Sequence, residues 1–180
     1  MHALNSWKET FKKLSNGLLR LILSTLGIAA ACAAPTAAAA GEKALQASST
    51  DIARGKYLVR IAGCNDCHTP GYAQSDGKID EKLWLTGSPL GWRGPWGTTY
   101  ASNLRLILQS ISEEQWLKYA RAPRRPPMPW FNLAAMTDKD LHAIYAYVRK
   151  LGPAGEPAPS YLAPDQEPKG PFVTFPAPPK

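Results

Sequence analysis

Cys64-Asn65-Asp66-Cys67-His68 constrains this chain more than any other stretch, because two thiols three residues apart followed at once by a histidine form the attachment pattern for a c-type haem. Two thioether bonds would tether the porphyrin, and His68, fixed beside Cys67, is the natural proximal ligand to the iron. The competing readings lack their partners. A zinc ribbon needs a second Cys pair, and the third cysteine, Cys32, lies far upstream in an apolar segment. A thioredoxin-type pair needs a βαβ pattern around it, and none is present.

The 180 residues allow one domain plus extensions, with a formal charge of +7 and a pI near 9.4. Residues 1–40 have the layout of a secretory signal: basic residues to Arg20, an apolar core from Leu21 to Ala34, and small residues ending at Ala40 before Gly41. Ala31-Cys32-Ala33 also satisfies the small-x-small rule, so two cleavage points are open. Removing 1–40 leaves 17 basic against 13 acidic side chains, a net +4 without a basic stripe, and nucleic acid is not an expected partner. The signal predicts export to the periplasm, where haem attachment is completed. The alternatives are a retained membrane anchor over 21–41 and a lipoprotein lipidated at Cys32.

After a small, polar linker over 41–50, a helix is predicted from Asp51, as N-cap, to Gly63, with Ile52, Tyr57, Leu58 and Ile61 near one face. Gly55 inside it costs about 1 kcal/mol relative to alanine, which calls for another helix crossing closely there. Residues 69–103 show no sustained period and read as a long loop packed on the cofactor. Trp84, Trp92 and Trp96 in it either cover the ring edges or form a small core of their own. Ser112 and Gln115 announce a second helix to about Ala122 by a capping box. Four prolines between 123 and 129 then oppose regular structure around Met128. The last helix begins at Thr137 and has the cleanest period, Leu141, Ile144, Tyr145, Val148 and Leu151, closed by Gly152-Pro153; Tyr147 at its margin is the candidate to pack over Gly55. Residues 153–180 hold 9 of the 17 prolines and form an extended tail, expected to lie on its own domain through Tyr161, Phe172 and Phe175.

Met128 and Met136 compete for the second axial position. Met136 precedes the N-cap Thr137, with Leu141 four residues into the helix, the arrangement of a hydrophobic staple, which gives it a packing role. Met128, between prolines, has no such role and is the preferred ligand. His142 reads as a half-exposed helix residue. Arg121, Arg124 and Arg125 lie just before Met128, and serve either as a docking patch for an acidic partner or to neutralise haem propionates.

Gly55 nine residues before Cys64, the motif itself, Met128-Pro129 and a final helix ending Tyr145-Ala146-Tyr147-Val148 together resemble the class I cytochromes c over residues 51–152. A closer likeness is to the haem domains of cytochrome subunits of membrane-bound alcohol and gluconate dehydrogenases, carried by Tyr100-Ala101-Ser102-Asn103, Met128-Pro129 and Met136-Thr137-Asp138-Lys139-Asp140-Leu141. This chain has one haem motif where those subunits have three, and Leu104-Arg105 where they continue Asn-Ile-Thr-Pro.

The resemblance implies an all-α class I cytochrome c fold, three main helices around one covalent haem c attached at Cys64 and Cys67, with His68 and Met128 as axial ligands. It implies an electron carrier, not an enzyme. Its expected partners are a periplasmic dehydrogenase as donor and the respiratory chain as acceptor, with any membrane association made through a partner or a retained anchor. A haem sensor with an open or displaceable distal site is the alternative reading.

Overall fold

The computed structural model describes residues 47–176, so the expected signal over 1–40 and the linker as far as residue 46 lie outside it. Helix α1, Ser49–Ile61, starts two residues before Asp51. Ser48 is the N-cap, its Oγ accepting from the Asp51 backbone N–H at 3.1 Å, and Asp51 returns the bond by accepting from the Ser48 N–H at 3.2 Å. Asp51 thus closes a capping box and is not the cap itself. Helix α2, Cys64–His68, follows after Gly63, whose φ of +70° turns the chain in the left-handed region that favours glycine.

Beyond α2 the expected loop contains two 3₁₀ turns, Ala73–Ser75 and Glu81–Leu83, and a hairpin of β1, Gly91–Gly94, with β2, Gly97–Tyr100. A third strand, β3, Phe172–Thr174, comes from the tail and pairs parallel to β1, giving the order β2-β1-β3. The all-α expectation is corrected accordingly: the domain is mostly helical with a small mixed sheet.

Helix α3, Leu104–Ser110, was not expected. Asn103 caps it, its Oδ1 accepting from the Leu106 N–H at 3.1 Å. Helix α4, Glu113–Arg121, starts at the expected box, Ser112 and Gln115 exchanging bonds of 2.8 and 3.2 Å. The prolines keep 122–129 irregular, but a one-turn helix, α5, Trp130–Ala134, follows at once with Pro129 as its cap. Helix α6, Asp138–Leu151, is capped by Thr137 and stopped at Gly152, φ +73°. Among the described residues no helix is long and apolar enough to cross a membrane.

The core lies between α1 and α6, with α3 and α4 against the latter; Val59, Leu108, Leu141 and Val148 are almost completely buried. Gly55 faces the Ala143 carbonyl and Tyr147, which is what lets the two helix backbones approach. That crossing sets the rotation of α1: Leu58 and Val59 turn inward, whereas Tyr57 and Ile61, expected on the buried face, are 57% and 61% exposed. Trp84 settles as core, edge-on to Tyr72 with ring centroids 5.8 Å apart, its indole N–H donating to the Ile79 carbonyl at 3.0 Å.

The tail runs across the domain. Leu162 and Thr98 exchange backbone bonds of 2.8 and 3.0 Å, and Phe175 packs on Trp92 and Trp96. Arg93 gathers the intervening segment, donating to the carbonyls of Pro164 and Gln166 and to the Glu167 carboxylate.

Candidate functional site

Spacings of three and four on a helix place Cys64, Cys67 and His68 on one face of α2. All three line a cleft of about 320 Å³, together with apolar side chains that include Leu85, Leu108, Leu133 and Ile144. Met128 and Met136 line it too. The four residues singled out in the sequence therefore meet in one place, and so does the competing methionine. The two methionines differ in packing: Met136 is partly buried against the hydrophobic core, and Met128 is not among the residues packed there.

His68 is 8% exposed, and its Nδ1 lies 2.7 Å from the Ser102 carbonyl oxygen. A carbonyl only accepts, so Nδ1 carries the proton and Nε2 keeps a free lone pair, the form in which imidazole binds a metal. Burial pushes the His68 pKa down, against the smaller opposing effect of the Ser102 carbonyl, so the ring stays neutral. Burial pushes the Cys64 thiol up to about 11 and raises that of Cys67 as well, with Asp66 contributing less to each. Both are thiols, not thiolates, at neutral pH.

Backbone groups from the next segment hold this helix in place. The Gly87 N–H donates to the His68 carbonyl at 2.8 Å. Thr69 is fully buried, its hydroxyl donating to Asn65 Oδ1 at 2.7 Å and accepting from the Leu85 N–H at 2.8 Å. Leu85 itself has φ +61°, a strained conformation for a branched side chain. Its carbonyl accepts from the N–H groups of Leu104 and Arg105 at the start of α3, which holds that turn. Across the cleft rim, Thr99 of β2 donates to the Pro126 carbonyl at 2.8 Å and so ties the hairpin to the segment that carries Met128.

The cleft lining also carries charge. Arg124 and Arg125 belong to it, each over a tyrosine ring, Cζ to centroid 3.9 Å for Arg124 on Tyr119 and 4.1 Å for Arg125 on Tyr161. Neither has a carboxylate partner among the described residues, whereas Arg121 of the same cluster is paired with Asp138. Trp92 also lines the cleft, and its buried indole N–H has no partner among the described residues. Trp96 is not among the residues lining the cleft and packs at a tilt on Phe175. Leu85 and Thr69 were not singled out in the sequence, and Ser102 entered only as part of the Tyr100–Asn103 stretch without a role of its own, since they act mainly through main-chain groups or a single hydroxyl that leaves no pattern.

The family model for cytochrome c matches residues 52–152, more than half of the chain. The chain belongs to the cytochrome c family. Within it the cytochrome is of the class I kind and resembles dehydrogenase cytochrome subunits. The fructose dehydrogenase cytochrome subunit of Gluconobacter japonicus is 29% identical over 121 residues, which cover 63% of this chain and 24% of that protein. This cytochrome thus spans about a quarter of its relative's length. No solved structure matches it. Membership implies haem c with its iron, and electron transfer as the activity. The cleft lining fits that group: a neutral imidazole with a free Nε2, two thiols on the same helix face, apolar walls, and, among the described residues, an indole N–H without a partner and two cations without acidic partners, which suits an apolar ring bearing carboxylates.

Proposed function

We infer that the protein is an exported cytochrome c with one covalent haem, carrying single electrons from a periplasmic dehydrogenase to the respiratory chain. The observation that carries this reading is the convergence of Cys64, Cys67, His68 and Met128 on one apolar cleft, with His68 held in the metal-binding tautomer by Ser102. In this reading Cys64 and Cys67 would hold the cofactor by thioether bonds, and His68 Nε2 and Met128 Sδ would supply the protein ligands to its iron. Haem, when bound, supplies an iron centre that takes up and releases one electron at a time.

The remaining residues tune and protect that centre. The hydrogen bond to Ser102 orients the imidazole and makes Nε2 the better donor. Leu85, Leu108, Ile144 and Val148 exclude water, which with a thioether ligand favours a high potential. Trp92 Nε1, Arg124 and Arg125 would receive the haem carboxylates, which accounts for an indole N–H without a partner and two guanidiniums without acidic partners among the described residues. The dehydrogenase donor is supported by the named relative, and export by the signal pattern of 1–40, with the haem domain over 51–152 and the tail from 153.

Intact-mass measurement of the protein recovered from the periplasm tests the reading. The expected result is the mass of the chain from about residue 41 plus one haem, which does not extract into acidic solvent. A haem-free mass, or an extractable cofactor, overturns covalent attachment. A protein found only in the cytoplasm overturns export.

A further inference from the structure

Two aromatic side chains of the tail pack against residues that line the cleft. Tyr161 lies beneath the Arg125 guanidinium at 4.1 Å, and its own hydroxyl donates to the Trp96 carbonyl at 2.8 Å, which fixes the ring against the hairpin. The next residue, Leu162, is paired in both directions with Thr98. Phe175 packs on Trp92 with ring centroids 5.9 Å apart, and its N–H donates to the Arg93 carbonyl at 2.7 Å. Each of these tail residues therefore supports a residue that lines the cleft, one a cation and the other an unpartnered N–H.

Arg125 has little else to hold it. It is exposed, it makes no ion pair among the described residues, and the segment before it has no regular structure. A long side chain in that position would sample many rotamers. The Tyr161 ring limits that freedom and keeps the charge at the cleft by a cation–π contact. Arg54, Arg93 and Arg121, by contrast, are each fixed by a carboxylate.

We propose that the proline-rich tail is a working part of the haem site, in which Tyr161 is a positioning residue that holds Arg125 at the carboxylate end of the cofactor and so raises the reduction potential. The inference rests on the haem reading given above. Its physical basis is that a fixed positive charge near the iron disfavours the more positive ferric state relative to the ferrous state. Proline makes the arrangement inexpensive, since a stiff strap loses little entropy on being laid down.

The test uses the full-length haem-loaded protein and four variants, Arg125→Gln, Tyr161→Ala, Tyr161→Phe and the double variant Arg125→Gln/Tyr161→Ala. For each, haem content is measured first and the potential then read by spectroelectrochemical titration at low salt. The expected result is that Arg125→Gln raises the ferric-to-ferrous ratio at a fixed ambient potential severalfold, that Tyr161→Ala moves it in the same direction, and that Tyr161→Phe, which keeps the ring but loses the hydroxyl that fixes it, moves it less than Tyr161→Ala. The double variant should move no further than Arg125→Gln alone, because Tyr161 acts through Arg125. If Tyr161→Ala leaves the potential unchanged while Arg125→Gln shifts it, or if the two shifts add, the positioning role is overturned. A haem-loaded Arg125→Gln variant with an unchanged potential overturns the place given to Arg125, and the proposal with it. A wild-type chain without haem refutes the reading beneath the proposal, an outcome distinct from the others.

Discussion

Replacing Gly55 by alanine tests the helix crossing on which the domain is built. On an isolated helix the substitution would stabilise by about 0.5–1 kcal/mol, because glycine loses more backbone freedom on folding. Here the new Cβ would meet the Ala143 carbonyl, 2.6 Å from its carbon, and would lie 2.7 Å from Tyr147 Cβ. Ordinary contact between carbon atoms is about 3.5–4.0 Å, so α1 and α6 would have to separate by roughly 1 Å. No rotamer change relieves this, since the obstacle is main chain. A gap of that size forfeits a quarter to a half of the dispersion energy of each contact across it. Overpacking of this kind costs about 1–3 kcal/mol, enough to outweigh the gain in helix propensity and leave a net loss of roughly 1–2 kcal/mol. For a domain of this size that lowers the melting temperature by roughly 5–10 °C, measured by circular dichroism at 222 nm. Adding Ala143→Gly should not restore the loss, because the carbonyl remains when the methyl is removed. A Gly55→Ala protein as stable as wild type, or rescue by Ala143→Gly, would refute the reasoning.

Further outcomes follow from other sites. Arg105 is 4% exposed and donates to the carbonyls of Lys82, Trp84, Leu151 and Gly152, so Arg105→Met should cost roughly 2–4 kcal/mol in urea unfolding. Arg105→Lys should recover only part of that, since an ammonium cannot span the four acceptors. Met128→Leu should abolish the sulfur-to-iron charge-transfer band of the ferric protein. Met136→Leu should keep the band and cost less than about 1.5 kcal/mol, and the reverse pattern would exchange their roles. Arg54 and then Thr137 hold the Asp140 carboxyl below its usual pKa, while Lys56 and then Tyr147 do so for Glu81. The unfolded chain therefore binds these protons more tightly, and the stability they give is complete above about pH 4.5 and lost as pH falls through their lowered values. Unfolding midpoints at pH 6 and pH 3 should differ in that sense, and Asp140→Asn should reduce the difference.

Much of this was legible from local chemistry. The capping boxes at Ser112 and the period of α6 located two helices because each signal lies within a few residues of its effect. The close approach at Gly55 was legible for a related reason, since a glycine inside a helix needs an external explanation. The rotation of α1 was not, because Tyr57 and Ile61 are as apolar as the residues that are buried, and only the position of α6 decides between them. Helix α3 was missed because Leu104, Leu106, Ile107 and Leu108 leave too little polar face in seven residues to reveal a period. The sheet was hidden for a different reason. Strands β1 and β2 have four residues each, with two glycines in the first and one in the second, too few side chains to show alternation, and the partner that completes them lies more than 70 residues away in a tail whose composition argues against any strand.

The same division between local and distant causes runs through the site. The five residues from Cys64 to His68 contain every group that would bond to a haem on the proximal side, which is why the motif can be read at sight. They do not contain what orients those groups. The His68 ring is aimed by the Ser102 carbonyl, its main chain by the Gly87 N–H, and the turn beyond it by Thr69 acting on Leu85. Leu85 is in turn fastened through its carbonyl to the first residues of α3, and Arg105 in that helix grips both the Trp84 carbonyl and the end of α6. The chain of contacts runs from the main chain around His68, through Leu85 in the cleft wall, to the C-terminus of α6. His68 is therefore aimed by the fold itself, and Arg105 is the residue that locks this arrangement from α3.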